Sequence, residues 1–358
     1  MKPIKVLIID DSSVIRAVIK EVLKDETDIL IVGEAKDPLI AREQIKKLNP
    51  DVLTLDVEMP KMDGITFLKN LMRLRPMPVI MLSTLTTKGA DTTLDALELG
   101  AIDFIAKPSF EELIENKSAF KTKLIRKIKF AASIDNKNHK LISGSSKVDE
   151  NIVHSFVGCQ RANHIVAIGA STGGTEAVKR IITTLPKNCP PIVVTIHIPE
   201  TFSARFAERI NIYCAATVQE ARHGQKIKEG NVYIAPGNMH LKIEAKGGTL
   251  YCILEDSEEV NRHKPSVDVL FNSLEPLANN VQGVLLTGMG QDGAKGLLNL
   301  KNAGAMTIIQ DAASSLIWGM PGSAHALNAH VKECSLSNIP TEILNYASLD
   351  RSGMKGVK

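Results

Sequence analysis

Two groups of side chains in this sequence have the types and spacing to do chemistry. The first is Asp10-Asp11, Asp56, Ser83 and Lys107, each at or just after the end of a short apolar run. Clustered carboxylates repel one another unless a cation joins them, and hard oxygen ligands suit Mg²⁺. With such a cation and Lys107 neutralising an incoming phosphoryl group, the Asp56 carboxylate is free to attack phosphorus. A simpler reading, in which strand-end acids cap the following helices, suits Asp11 or Ser12 alone. It leaves Lys107-Pro108 on the same edge unexplained.

The second group lies further along. Gly169-Ala170-Ser171-Thr172-Gly173-Gly174 satisfies G-x-S-x-G, the pattern of a serine presented on a tight strand-to-helix turn. A serine needs a base, and the base needs an orienting acceptor. His197 ends the apolar run Pro191–Ile196, alone among nine histidines in that position, whereas His240, His263 and His325 sit in polar or turn-like contexts. Asp292 follows the run Gly283–Leu286 and completes a Ser…His…Asp order, unlike the Ser…Asp…His of α/β-hydrolases. Triads are defined by geometry, so the order argues only against that one fold. A rival reading uses the same residues: Gly288-Met289-Gly290-Gln291-Asp292-Gly293 is a literal G-x-G-x-x-G, and Asp311 stands where a ribose-binding acid of an NAD-dependent oxidoreductase would fall. Against it, Asp292 would set a carboxylate beside a pyrophosphate. On residues alone both readings stand.

The elements that must position these groups alternate. Val6–Asp10, Ile29–Ala35, Val52–Asp56, Val79–Ser83 and Asp103–Lys107 read as buried strands, with helices at Val14–Lys24, Pro38–Leu48, Gly64–Arg73 and Thr92–Leu99. Such alternation implies a parallel sheet covered on both faces, with ligands outside the carboxyl ends of its strands. Glu111–Phe130 reads as a closing amphipathic helix, and Ser133 to about Glu150 as an interdomain linker. A second series follows, with strands at His164–Ile168, Pro191–His197, Ala216–Gln219, Asn231–Ala235, Gly283–Thr287 and Met306–Gln310, and a hairpin over Leu241–Leu254 turning at Gly247-Gly248. The 358 residues suit two domains, and 44% hydrophobic with 23% charged residues is ordinary for globular protein. The net charge of +3 gives no nucleic-acid footprint, and the lysines from Lys117 to Lys129 read as a solvated helix face. Five scattered cysteines without a CxxC pair read as reduced thiols. No apolar stretch approaches a membrane span or a signal-peptide core, so a cytosolic protein is expected. The tail beyond about Asp350 reads as unstructured.

Beyond this reading, the chain resembles known families over nearly its whole length. Asp10-Asp11, Asp56, Met59-Pro60…Met62-Asp63-Gly64, Ser83-Thr84 and Lys107-Pro108 resemble a two-component receiver domain. Ile168–Gly174, His197-Ile198-Pro199, Tyr233–Gly237, Arg262–Asp268, Leu286–Gly293 and Trp318–Pro321 resemble the chemotaxis methylesterase family. The resemblance implies an α/β protein of two domains. Residues 1–125 would be a flavodoxin-like receiver with a five-stranded parallel sheet, and residues 126–160 a closing helix and linker. Residues 161–348 would form a doubly wound, mostly parallel α/β methylesterase domain with a β-hairpin. It implies Asp56 as phosphoacceptor, Asp10, Asp11 and Asp56 holding Mg²⁺, and Ser83 and Lys107 contacting the phosphoryl group. It implies Ser171 as nucleophile, His197 as base, Asp292 as orienter, and the N–H groups of Met289 and Thr172 as the oxyanion hole. Arg262, His263 and Ser266 would line the approach, and the esterase itself would need no cofactor. The implied reaction is hydrolysis of glutamyl methyl esters, and deamidation of glutamines, on methyl-accepting chemotaxis receptors. The receiver would obstruct the active site until the chemotaxis histidine kinase phosphorylates Asp56, and the protein would be cytoplasmic, recruited to receptor arrays. Glu200-Thr201 departs from the Pro-Gly that relatives often carry, in a substrate-facing loop.

Overall fold

The computed structural model describes residues 2–59, 62–84, 86–108, 117–134, 156–161 and 163–349. Pro60, the expected linker from 135 onward and the tail from Asp350 lie outside them. The chain divides into two compact units, Met1–Gly144 and Ser145–Lys358.

In the first unit β1 (Ile4–Ile9), β2 (Ile29–Ala35), β3 (Val52–Asp56), β4 (Val79–Ser83) and β5 (Asp103–Ala106) form one parallel sheet in the order β2-β1-β3-β4-β5. Every residue of β3 and β4 is buried, as expected of strands covered on both faces. The helices between them begin at side-chain caps. Ser12 accepts from Ile15 N–H at the start of α1 (Ser13–Leu23), Asp37 from Leu39 and Ile40 before α2 (Pro38–Leu48), and Asp63 from Thr66 before α3 (Gly64–Leu74). The next helix, α4 (Thr87–Glu98), starts a turn earlier than its apolar period suggests, because Thr86 caps it.

The closing helix α5 spans Lys117–Ser133, so the domain boundary expected at 125 falls inside it, and the helix belongs whole to the first unit. It buries Phe120, Leu124, Ile128 and Ala131. Lys117, Lys123 and Lys129 are exposed, as a solvated face requires, and the face is laced with ion pairs: Lys121 pairs with Glu26 at 3.1 Å, Lys129 with Asp28 at 2.6 Å, and Lys127 with the buried Asp103.

The second unit is built on a seven-stranded parallel sheet in the order β15-β14-β13-β6-β7-β10-β8. Its strands are β6 (Ile165–Ala170), β7 (Ile192–Ile196), β8 (Thr217–Glu220), β10 (Asn231–Ile234), β13 (Val281–Leu285), β14 (Met306–Gln310) and β15 (Lys332–Cys334). A hairpin of β11 (His240–Lys246) and β12 (Thr249–Glu255) turns at Gly247-Gly248 as expected, and the two-residue β9 (Gln225–Lys226) extends it. The sheet is flanked by α6 (Gly174–Ile182), α7 (Glu200–Asn211), α8 (Val267–Ser273), α9 (Ala294–Asn302), α10 (Met320–Ala326) and α11 (Ile339–Ser348). From β6 the chain moves outward to β7 on one side and later to β13 on the other, so β6 is the point where strand order reverses. That is where an open α/β sheet leaves a crevice at its carboxyl edge. Among the described residues, the cysteines are free and no helix is long and apolar enough to cross a membrane.

Candidate functional site

In the first unit the residues expected at the carboxyl edge of the sheet do meet. Carboxylate oxygens of Asp10, Asp11 and Asp56 lie within 4.8 Å of one another. Lys107 Nζ sits 2.9 Å from Asp10 Oδ2 and 2.8 Å from Asp56 Oδ1. Burial, reinforced by the charge of Asp10, pushes the Asp56 carboxyl up to about 6 despite Lys107. Asp56 Oδ2 is buried without a hydrogen-bond partner. An unpaired oxygen, three hard donors and a surplus of negative charge fit a divalent cation such as Mg²⁺. Ser83 is the exception: its hydroxyl hydrogen-bonds the carbonyls of Thr84 and Gly89, both at 3.2 Å, and does not reach Asp56.

In the second unit, Ser171 follows β6, His197 follows β7, and Asp292 lies in the loop after β13. These three strands are adjacent in the sheet. The Ser171 N–H donates to Thr287 O at 3.1 Å, and its carbonyl accepts from Gly174 N–H at 2.7 Å, which closes a tight turn ahead of α6. His197 N–H donates to Ala170 O at 3.3 Å, fixing its backbone beside the serine turn. Its ring bonds Asp292 Oδ2 through Nε2 at 2.9 Å, while Nδ1 is buried with no hydrogen-bond partner. The nitrogen left for a serine is thus Nδ1, the reverse of the serine-protease template, in which Nδ1 faces the aspartate.

Asp292 is 2% exposed and heavily supported. Oδ1 accepts from Asn261 Nδ2 (2.7 Å), Ser266 Oγ (2.8 Å) and Asp268 N–H (3.3 Å), and Oδ2 accepts from Val267 N–H (2.7 Å). Burial alone would raise its pKa; the hydrogen bond and charge of His197, with Asn261 and Val267, reverse this and hold it well below the usual carboxylate range. Ser266, expected along the approach, is instead fully buried behind the acid. His263 stacks on the His197 ring, with centroids 3.7 Å apart and planes at 7°, and Arg262 precedes it with φ 66°. His240, read as turn-like, is fully buried: its Nε2 bonds Glu258 O and its Nδ1 accepts from Ser266 N–H, so it braces the loop behind Asp292.

The turn after β13 is held from both sides. Gly288 N–H donates to Ile317 O at 3.1 Å, and Gly288 O accepts from Met320 N–H at 2.8 Å. A Cβ at Gly288 would stand 2.8 Å from Ser171 Cβ, so only glycine lets this turn, and the Met289 peptide with it, lie against the serine. The Thr172 peptide is held by Thr287 Oγ1, which reaches its carbonyl at 3.1 Å. The dinucleotide reading loses ground at its central carboxylate: Asp292, inside the G-x-G-x-x-G, is buried and turned onto His197. A Cβ at Gly293 would meet Val267 Cγ1 at 2.5 Å, so that glycine lets α8 pack closely. Asp311 accepts from Ser314 N–H and Oγ, at 2.9 and 2.6 Å, and so closes a local turn.

Residues 166–343 match the CheB methylesterase family model, and residues 6–117 match the response regulator receiver domain. The chain is 48% identical over 350 residues to a protein-glutamate methylesterase/protein-glutamine glutaminase of Saccharophagus degradans, covering 97% of this chain and 99% of that one. It is 46% identical over 349 residues to a protein of the same name from Vibrio vulnificus, with 97% and 99% covered. Its structure resembles the crystal structure of the Thermotoga maritima CheB methylesterase catalytic domain, with a TM-score of 0.51 and 36% identity, over 52% of this chain and all of that one. None of these is an oxidoreductase.

Proposed function

The chain belongs to the CheB methylesterase family and joins that hydrolase to a response regulator receiver, and on that basis we propose that it demethylates glutamyl methyl esters of methyl-accepting chemotaxis receptors through Ser171, His197 and Asp292. The observation that carries this reading is the buried His197–Asp292 pair, with Nδ1 unpaired, beside a serine turn at the switch point of the sheet.

Ser171 Oγ attacks the γ-carbonyl while its proton passes to His197 Nδ1. Asp292 holds the Nε2–H and faces the imidazolium that forms. The developing oxyanion accepts from the Met289 N–H, with that of Thr172 as second donor. The imidazolium then protonates the leaving group, releasing methanol, and water activated by the same base frees the glutamate. Deamidation of glutamine follows the same path with ammonia leaving, in keeping with the glutaminase in the relatives' name. His263 packs on the base, and Arg262 lies beside it to meet substrate.

The receiver places control in Asp56, which accepts a phosphoryl group from the chemotaxis histidine kinase. Asp10, Asp11 and Asp56 would hold Mg²⁺, which when bound neutralises phosphoryl charge. Lys107 contacts the phosphoryl oxygens, and Ser83 exchanges its Gly89 bond for one to phosphate, which loosens the start of α4. The enzyme would work at receptor arrays on the inner face of the membrane.

Methanol release from methylated receptor membranes, with and without a small phosphodonor and Mg²⁺, tests both halves. A rise with phosphodonor, absent in Ser171→Ala and in Asp56→Asn, is expected. Substantial turnover by Ser171→Ala would remove the nucleophile assignment, and undiminished activation of Asp56→Asn would remove the phosphoacceptor.

A further inference from the structure

Behind the His197–Asp292 pair lies a second buried carboxylate, Asp268, which is 6% exposed in the first turn of α8. Its Oδ1 accepts from Gly296 N–H at 2.6 Å, and its Oδ2 from Asn261 Nδ2 at 2.7 Å. The same amide nitrogen is 2.7 Å from Asp292 Oδ1. Among the described residues, no lysine or arginine pairs with either acid, and His197 is the only ionisable donor on Asp292. Two buried carboxylates this close repel, and without mediation one of them takes up a proton. A primary amide has two hydrogens splayed in one plane, so Asn261 can give one to each acid.

We propose that Asn261 is a positioning residue for the hydrolysis: its amide bridges Asp268 and Asp292 and so keeps the acid that orients His197 ionised and fixed. This rests on the triad reading above. The backbone shows why asparagine stands here. Asn261 and Arg262 have φ of 55° and 66°, and Val260 and His263 exchange hydrogen bonds at 3.1 and 3.0 Å across them. Two left-handed central residues make a type I′ turn, and asparagine is the side chain that best tolerates its first position. One tight turn therefore delivers two things to the triad: the Asn261 amide onto Asp292 and the His263 ring onto His197. Asp268 contributes as the anchor that prevents the amide from rotating away.

A turn-forming role alone predicts that glycine, which accepts φ near +55° freely, replaces Asn261 without loss. Asn261→Gly therefore separates backbone from side chain, and Asn261→Asp replaces the donor with a third anion. The assay is kcat and KM for methanol release by the full chain with phosphodonor, as variant-to-parent ratios from pH 5.5 to 9, so that the receiver's own ionisation cancels. For Asn261→Gly we expect kcat to fall about 10–100-fold with KM within about twofold. The acid limb should move up by about one pH unit, because the unbridged pair of acids holds a proton that must leave before His197 is oriented. Asn261→Asp should be worse at every pH. A Gly variant with kcat within about twofold and an unmoved limb would overturn the proposal. So would a loss of kcat that tracks a drop in melting temperature and leaves the limb in place. Ser171→Ala in the same assay separates the two failures. Turnover surviving there sinks the triad itself, whereas a dead Ser171→Ala beside an unaffected Asn261→Gly sinks only the role of Asn261.

Discussion

Replacing Asp292 with asparagine keeps the size and removes the charge, and the surroundings dictate which way the amide sits. Five donors converge on the carboxylate: His197 Nε2 and Val267 N–H on Oδ2, and Asn261, Ser266 and Asp268 on Oδ1. With its NH₂ in place of Oδ1, the new side chain confronts the Asn261 amide, which Asp268 holds in position, and the Asp268 N–H. Only the Ser266 hydroxyl can turn to accept. With its NH₂ in place of Oδ2, it strands the Val267 N–H alone, and His197 can adapt by moving its proton to Nδ1. Each stranded buried donor costs about 1–3 kcal/mol, so the second orientation wins. It also places a proton on the nitrogen that must accept one from Ser171, and leaves the imidazolium without its counter-ion. The expected result is a fall in kcat of about 10³–10⁴, or roughly 4–5.5 kcal/mol of barrier, with stability lowered by about 1–3 kcal/mol. Methanol release gives kcat, thermal unfolding gives stability, and ¹⁵N NMR of the imidazole reports which nitrogen is protonated. A variant with kcat within tenfold of the parent, or with the proton still on Nε2, would refute the reasoning.

Three further outcomes follow from the same geometry. Burial and Asp10 hold Asp56 at about 6, above its ordinary 3.8, so its protonated form is the one folding favours. That stabilisation is complete below about pH 4 and is lost as pH rises through about 6. Without Mg²⁺ the receiver's melting temperature should fall across this window by the equivalent of at most ~3 kcal/mol, and Asp56→Asn or added Mg²⁺ should remove the fall; a flat profile in the parent would contradict it. Gly288→Ala would place a Cβ 2.2 Å from Met320 Sδ and 2.8 Å from Ser171 Cβ, so the Met289 peptide must shift. Its kcat should drop more than about 100-fold while Asp56 still accepts phosphate, and a near-parental kcat would clear that peptide of the oxyanion role. Ser83→Ala removes the hydroxyl bonded to Gly89, so activation by phosphodonor should weaken while phosphorylation of Asp56 persists, as seen by comparing methanol release with phosphate incorporation.

Much of the architecture is legible because a parallel sheet writes itself locally. Buried strands such as Val52–Asp56, Val79–Ser83 and Ile192–Ile196 are unbroken β-branched and aliphatic runs, and a polar residue that ends such a run must lie on the carboxyl edge. Asp56, Ser171, His197 and Lys107 could be picked out on that ground. The two-residue β9 and the polar β15 (Lys-Glu-Cys) could not, because they are too short to show a period and take their identity from a neighbouring strand. The start of α4 lies outside the apolar pattern, because its first turn, from Thr87, carries no apolar period and only the Thr86 cap marks it.

What the sequence by itself determined is therefore the set of strand ends and the side chains they carry: an acidic pocket with a lysine in one domain and a serine, a histidine and an aspartate in the other. Tertiary structure alone decided how those groups are wired. Ser266 is 26 residues from Asp292 and Asn261 is 31, and no periodicity in either stretch marks them as partners of the acid. Which imidazole nitrogen faces Asp292, that His263 lies flat on His197, and that the glycines at 288 and 293 admit Ser171 and Val267 were fixed only when the loops folded onto one another. The lysines of α5 followed the same rule, since only the folded unit set Glu26, Asp28 and Asp103 opposite them. The physical reason is one of range. Hydrophobic period and helix caps act over a few residues and are written in order along the chain, whereas hydrogen bonds and contacts between loops join residues whose separation in sequence carries no record of their distance in space.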